Sequence, residues 1–335
     1  MTLAPRTVFA DRYEVVALLG RGGMGEVYRA RHVGLAKDVA LKVMGARAVG
    51  DFAARFHREA RATARLDHPS CVRVFDHGRT ARGIPYIAME LLDGPSLAEA
   101  LRAETPSVRR ALQIARGLLA GLAHAHARGV LHRDVKPENV MLVAREGHAP
   151  RAVLIDFGLA ALCDEAGLTG TGMCLGSPSY VAPERLAGQP YDARCDLYAV
   201  GVILYEMIAG VRPFVGASPE EVMRNALQRP PRPLRAHRRD VSPALDAVIR
   251  RALAKDPARR FADAEEMLAA LDDVPVLDEL AVRVRAIPRA EEATTLELGE
   301  LAPRHAAWWT RMWTWLRYGA WRFRPLAEPS GSLRG

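Results

Sequence analysis

Lysine is nearly missing from this 335-residue chain: Lys37, Lys42, Lys136 and Lys255 stand against 43 arginines. Each survivor is a place to ask why arginine would not do, because a compact point charge and a guanidinium fork do not fit the same geometry. Cysteine is also sparse. Cys71, Cys163, Cys174 and Cys195 fall at no C-x-x-C spacing, which argues against a zinc site and against a disulfide framework. No run of about 18 uncharged apolar residues occurs, so no spanning helix is expected. The opening MTLAPRTVFADRYE lacks the basic-then-apolar pattern of an export signal. These absences set the expectation of a reduced protein of the cytoplasm that takes its input from inside the cell.

What is present fits a globular enzyme, with 49% hydrophobic and 26% charged residues. The net charge of +8 is uneven, since residues 304–335 alone carry six arginines and one acid. High basicity is therefore a property of the tail, and no nucleic-acid partner is expected. The front of the chain reads as short strands around one helix. RYEVVALLG and EVYRARH flank a glycine cluster, and in DVALKVM the residues Val39, Leu41 and Val43 alternate with Ala40 and Lys42 as in a half-buried strand. FAARFHREARATARL carries Phe52, Phe56, Ala60 and Ala64 at helical spacing and stops at His68-Pro69. Strand signals at SCVRVFDHG and IPYIAMELL follow. From residue 96 the texture is helical, interrupted by NVMLV and AVLIDFG around the turn AREGHAPR. A strand-rich front and a helix-rich back predict a bilobal α+β enzyme without internal repeats.

Four stretches carry chemistry. LGRGGMGEV places Gly20, Gly22 and Gly25 in G-x-G-x-x-G spacing between two strands, which suits either a tight hairpin turn or a backbone cradle for phosphate. Lys42 on the next strand can supply a point charge to phosphate oxygens, and Glu59 on the following helix is the expected partner that holds it extended. HRDVKPENV, residues 132–140, is the densest signal. Asp134 can accept a proton from an attacking hydroxyl, Lys136 can neutralise charge on a transferred phosphoryl group, and Asn139 can ligate a metal through its carbonyl oxygen. Asp156 in IDFGLA offers a second hard oxygen ligand of the kind Mg²⁺ takes alongside phosphates.

With VALKV, HRDVKPEN, DFG and Ala182-Pro183-Glu184 in this order, the chain resembles the eukaryotic-type protein kinase family over residues 13–272, and its bacterial serine/threonine members in particular. The resemblance implies ATP and Mg²⁺ (or Mn²⁺) as cofactors. It implies that Leu19, Gly20, Arg21, Gly22, Gly23, Met24, Gly25, Glu26 and Val27 cover the phosphates. Val27 and Ala40 would lie on one adenine face and Met141 on the other, with Met89 as gatekeeper and Glu90 to Leu92 as the hinge. Lys42, held by Glu59, would contact the α- and β-phosphates. Asp134 would be the catalytic base, Lys136 the γ-phosphate contact, and Asn139 with Asp156 the metal ligands. Glu184 would pair with Arg260, and Asp196 would brace the catalytic loop.

The same resemblance implies transfer to Ser or Thr of protein substrates. Ser177 stands where the family usually has threonine. Thr169 and Thr171 are spaced for autophosphorylation, with Arg133 to receive the phosphate. A scaffold lacking activity, or a small-molecule phosphotransferase, is the competing reading, but no lysine, base or metal ligand is lost. The implied layout is an extension at 1–12, a kinase domain at 13–272 with lobes meeting near residues 92 and 93, a linker at 273–303, an amphipathic segment at 304–324 and a tail at 325–335. All five tryptophans lie in 304–324. Trp308, Trp309, Trp313 and Trp315 share a face opposite five arginines, which is expected to dock on the kinase domain or a partner protein, to sit peripherally on the inner face of a membrane, or else to belong to a disordered tail. Dimer formation is left open.

Overall fold

The computed structural model describes residues 2–22, 25–45, 51–157 and 178–275. Gly23, Met24, Cys163, Thr169, Thr171, Cys174, Ser177, the linker from residue 276 and the segment 304–324 lie outside the described residues.

Six antiparallel strands form one sheet in the order β1-β2-β3-β4-β6-β5: β1 (Val8–Phe9), β2 (Tyr13–Gly22), β3 (Gly25–His32), β4 (Lys37–Met44), β5 (Val74–Arg79) and β6 (Pro85–Glu90). The alternation in β4 is as expected, but the strand is buried on both faces. Val39, Leu41 and Val43 join Tyr13 and Tyr28 in one apolar cluster, while Ala40 and Met44 join Phe56 and Ala60 of helix α1 (Asp51–Thr63) in another. β4 lies centrally in the sheet with α1 laid across it, so the small Ala40 and the long stem of Lys42 suit the helix-covered side. Lys42 is thereby left only 6% exposed. The glycine-bearing hairpin closes with Gly22 opposite Gly25. At Gly25 a side chain is excluded, since φ is 152° and a Cβ would lie 2.1 Å from the Val43 carbonyl oxygen.

The second half is helical: α2 (Leu97–Ala103), α3 (Val108–His126), α4 (Pro183–Leu186), α5 (Arg194–Ala209), α6 (Pro219–Gln228), α7 (Pro243–Ala252) and α8 (Ala264–Asp272). Ser96 and Glu99 form a capping box on α2. Ser107, Ser218, Ser242 and Asp263 accept an amide at the starts of α3, α6, α7 and α8. Helix α5 is apolar on nearly every face and buried throughout most of its length, as expected of a central core helix. β7 (Val140–Arg145) and β8 (His148–Leu154) form a separate hairpin. Its strands run to Arg145 opposite His148, so the turn is shorter than AREGHAPR suggests. The outer positions are polar because they are exposed, and backbone pairing continues regardless. Among the described residues no helix is long and apolar enough to cross a membrane.

A buried ion pair fastens α4 to the stretch between α7 and α8. Arg260 donates to both oxygens of Glu184, at 2.8 and 2.6 Å, and to the carbonyls of Ala254, Arg194 and Lys255. The side chains are 0% and 3% exposed. Deleting one partner leaves an uncompensated buried charge. Arg260→Met is therefore expected to lower unfolding free energy by about 3–5 kcal/mol in a denaturant titration, with part of the loss recovered when Glu184→Gln is added.

Candidate active site

The loop 132–139 is pinned from beneath by a carboxylate. Asp196, in the first turn of α5 and 1% exposed, accepts the amides of His132 at 2.9 Å and Arg133 at 2.8 Å, and lies 2.9 Å from His126 Nε2. Burial alone would raise its pKa; the His126 ring, the nearby His132 and the amides outweigh that and hold it below the ordinary carboxylate range. Arg133 sits at φ 66°, a left-handed conformation costing a non-glycine residue about 1–2 kcal/mol. The bond to Asp196 holds the backbone there.

His132 is fully buried. Its Nδ1 accepts the Asp134 amide at 3.3 Å and its Nε2 faces the Ile155 carbonyl at 2.9 Å, so the ring is neutral with its proton on Nε2. Burial pushes its pKa down, against the pull of Asp196 and Asp134. The ring also packs on Phe157, with centroids 4.6 Å apart. One imidazole thus ties Asp134 to the strand end that carries Asp156.

Above this support the predicted polar residues converge. Lys136 Nζ donates to Asp134 Oδ2 at 2.7 Å. Asn139 Nδ2 donates to the Asp134 carbonyl at 2.8 Å and to Oδ2 at 2.9 Å, which leaves Oδ1 as the Asn139 atom able to face a cation. The Asn139 carbonyl in turn accepts the Ile155 amide at 3.0 Å. Asp156, also left-handed at φ 64°, meets Lys42 Nζ at 2.8 Å. Its burial would raise the pKa, but Lys42, His132 and Lys136 hold it below the usual range. The donor set of one ionised carboxylate and one amide oxygen suits Mg²⁺, which keeps waters and phosphate oxygens for the rest of its shell. Among the described residues no cluster of three or more His, Cys, Asp or Glu forms an all-protein metal cage.

One expected pairing is different. Lys42 is held by Asp156 and not by Glu59, whose carboxylate lies 3.7 Å from Arg133 Nη1 and 4.0 Å from Arg58 Nε. The position of α1 decides this: it aims Glu59 at the loop guanidinium, while the strand end aims Asp156 at the ammonium. Val27, Ala40, Met89 and Leu92 share one apolar cluster beside β4 and β6. Met141 is half-buried on β7, bridged to Ser96, and Glu90 gives its amide to the Arg73 carbonyl. The hairpin residues Gly20, Arg21 and Gly22 of β2 stand opposite Val27, Glu26 and Gly25 of β3, while Leu19 falls at a bulge between Leu18 and Gly20. Sequence reasoning missed His126, and it missed Arg185, which donates to the Arg133 carbonyl. The repeated histidine of AHAH at the end of α3 is the only local signal for His126.

The chain is also similar to known proteins. A sequence model of the protein kinase domain matches residues 13–270. Serine/threonine-protein kinase pkn3 of Myxococcus xanthus is 40% identical over 307 residues, covering 89% of this chain and 56% of its own length. PknJ of Mycobacterium tuberculosis is 42% identical over 268 residues, covering 79% and 45%. The crystal structure of the Mycobacterium tuberculosis PknI kinase domain superposes with a TM-score of 0.65 at 35% identity, over 81% of this chain and 98% of that one. The chain spans about half the length of the curated relatives it matches.

His132 favours the neutral ring in the folded state, so the unfolded chain binds more protons below its ordinary pKa. His57, His68, His124 and His237 are shifted down as well. Stability is expected to fall as pH drops below about 6.5. In thermal melts between pH 7.5 and pH 5, His132→Phe should give a shallower decline than the parent.

Proposed function

The chain belongs to the protein kinase domain family, and on that premise we propose that it transfers the γ-phosphate of ATP to Ser or Thr hydroxyls of proteins. The observation that carries this reading is the joint hold of Lys136 and Asn139 on one Asp134 oxygen, at 2.7 and 2.9 Å. Two donors on Oδ2 fix the carboxylate and leave Oδ1 to accept the hydroxyl proton of a substrate, which is what a general base in phosphoryl transfer must do. Lys136 would follow charge onto the transferred group. A bound Mg²⁺ would neutralise phosphate charge, with Asn139 and Asp156 as its protein ligands. Lys42 would give its charge to the α- and β-phosphates, and the hairpin of Gly20, Gly22 and Gly25 would offer amides from above.

The pairing of Glu59 with Arg133 bears on control. A phosphate on Thr169 or Thr171 would compete with Glu59 for the Arg133 guanidinium, since a phosphate carries more charge and more acceptors than a carboxylate. Released, Glu59 would be free to turn to Lys42. Protein substrates remain the partners in this reading, the cytoplasm its setting, and residues 304–324 a docking or peripheral membrane segment.

With labelled ATP, Mg²⁺ and a generic protein acceptor, the parent chain is expected to transfer phosphate to Ser and Thr, and Asp134→Asn to lose at least about 10²-fold in rate. Absence of transfer by the parent would support an inactive scaffold instead.

A further inference from the structure

Residues 2–9 precede the stretch that matches the kinase domain, yet they are built onto the sheet. β1 pairs with β2, with Val8 opposite Glu14 and Phe9 opposite Tyr13. The Arg6 amide donates to Val15 O at 2.7 Å, and Val15 returns its amide to Thr7 O at 2.9 Å. Leu3 packs against the cluster formed by Phe9, Tyr13, Val15 and Tyr28. From that anchorage the segment reaches the glycine-bearing hairpin, two residues from its turn.

The contact is a closed set of polar bonds around Glu26. Arg21, directly opposite Glu26 across the hairpin, reaches Oε1 with Nε at 3.0 Å and donates Nη2 to Thr2 Oγ1 at 2.5 Å. The Thr2 hydroxyl donates onward to Glu26 Oε1 at 3.1 Å. On the other oxygen, Oε2, the Tyr28 hydroxyl donates its proton, while accepting the Leu3 amide at 2.8 Å. Tyr28 is 0% exposed, and burial followed by the bond to Glu26 pushes its pKa up to about 12, so the phenol stays a donor. Glu26 is only 18% exposed although it lies near a hairpin tip. A hairpin ending in glycines is intrinsically loose; here one strand of its tip is tied at both carboxylate oxygens to a segment that is itself part of the sheet.

We propose that residues 2–9 form a strap that holds the glycine-rich hairpin in its nucleotide-receiving position, with Thr2, Leu3 and Tyr28 as positioning residues acting through Glu26. The proposal rests on the reading that this hairpin covers ATP phosphates. Ordering a loop before the ligand arrives removes an entropic cost from binding. Releasing the strap should therefore weaken ATP binding while leaving Asp134, Lys136 and the rate of the bound complex unaffected.

The test uses the full chain with Thr2→Val, Tyr28→Phe and the double variant, measuring ATP affinity by calorimetry, steady-state KM for ATP, kcat, and melting temperature without nucleotide. Weaker ATP binding by about fivefold in each single variant is expected, with KM for ATP rising in parallel, kcat within about twofold of the parent, and less than additive loss in the double variant. ATP affinity unchanged or tighter in both single variants, with binding intact in the parent, overturns the strap alone, even if melting temperature falls. Absence of ATP binding by the parent overturns the kinase reading and the strap with it.

Discussion

The arrangement depends on one buried carboxylate. Asp196 is taken out of water at the start of the most buried helix of the fold, a costly placement for an ionised group unless every oxygen is matched. Two successive backbone amides, an imidazole and the positive end of α5 match it. In return the loop 132–139 loses its freedom. Because folding holds the Asp196 pKa low, its contribution is present above the ordinary carboxylate range and is lost as pH falls through the depressed value.

From that anchor the site follows by short steps. The bond at Arg133 holds a left-handed residue, which turns the chain so that Asp134 faces away from the core. His132 carries the constraint sideways, from the Asp134 amide to the Ile155 carbonyl, and so sets the spacing between Asp134 and Asp156. Each of these two carboxylates then takes one lysine, Lys136 and Lys42. Two of the four lysines in an arginine-rich chain thus each pair through a single ammonium with one of these carboxylates. A third, Lys255, rests over the Phe214 ring and donates to the Ala226 carbonyl. Burial, with Arg260 nearby, lowers its pKa to about 8.

Much of this was legible because the chemistry is contiguous. HRDVKPEN places carboxylate, cation and amide within six residues, so local spacing nearly determines their convergence. The two lobes were legible from the change of period near residue 96. Partner choice was not. Whether Lys42 meets Glu59 or Asp156 depends on where α1 sits, and a helix face specifies burial without specifying reach. The strap at residues 2–9 was invisible for a related reason: Thr2 and Glu26 meet through polar bonds between distant positions, with no hydrophobic period to announce them. The β7–β8 turn was overdrawn because exposed strand ends look like loop.

Asp196 creates the geometry of the 132–139 loop. The most direct measurement is hydrogen exchange at the His132 and Arg133 amides in Asp196→Asn, read alongside its kcat. Asparagine keeps the shape but sets an NH₂ against donors that need an acceptor. Faster exchange confined to the loop and a loss of kcat are expected, with exchange in the six-stranded sheet unchanged. Unaltered loop exchange together with parental kcat would show that Asp196 does not hold the loop.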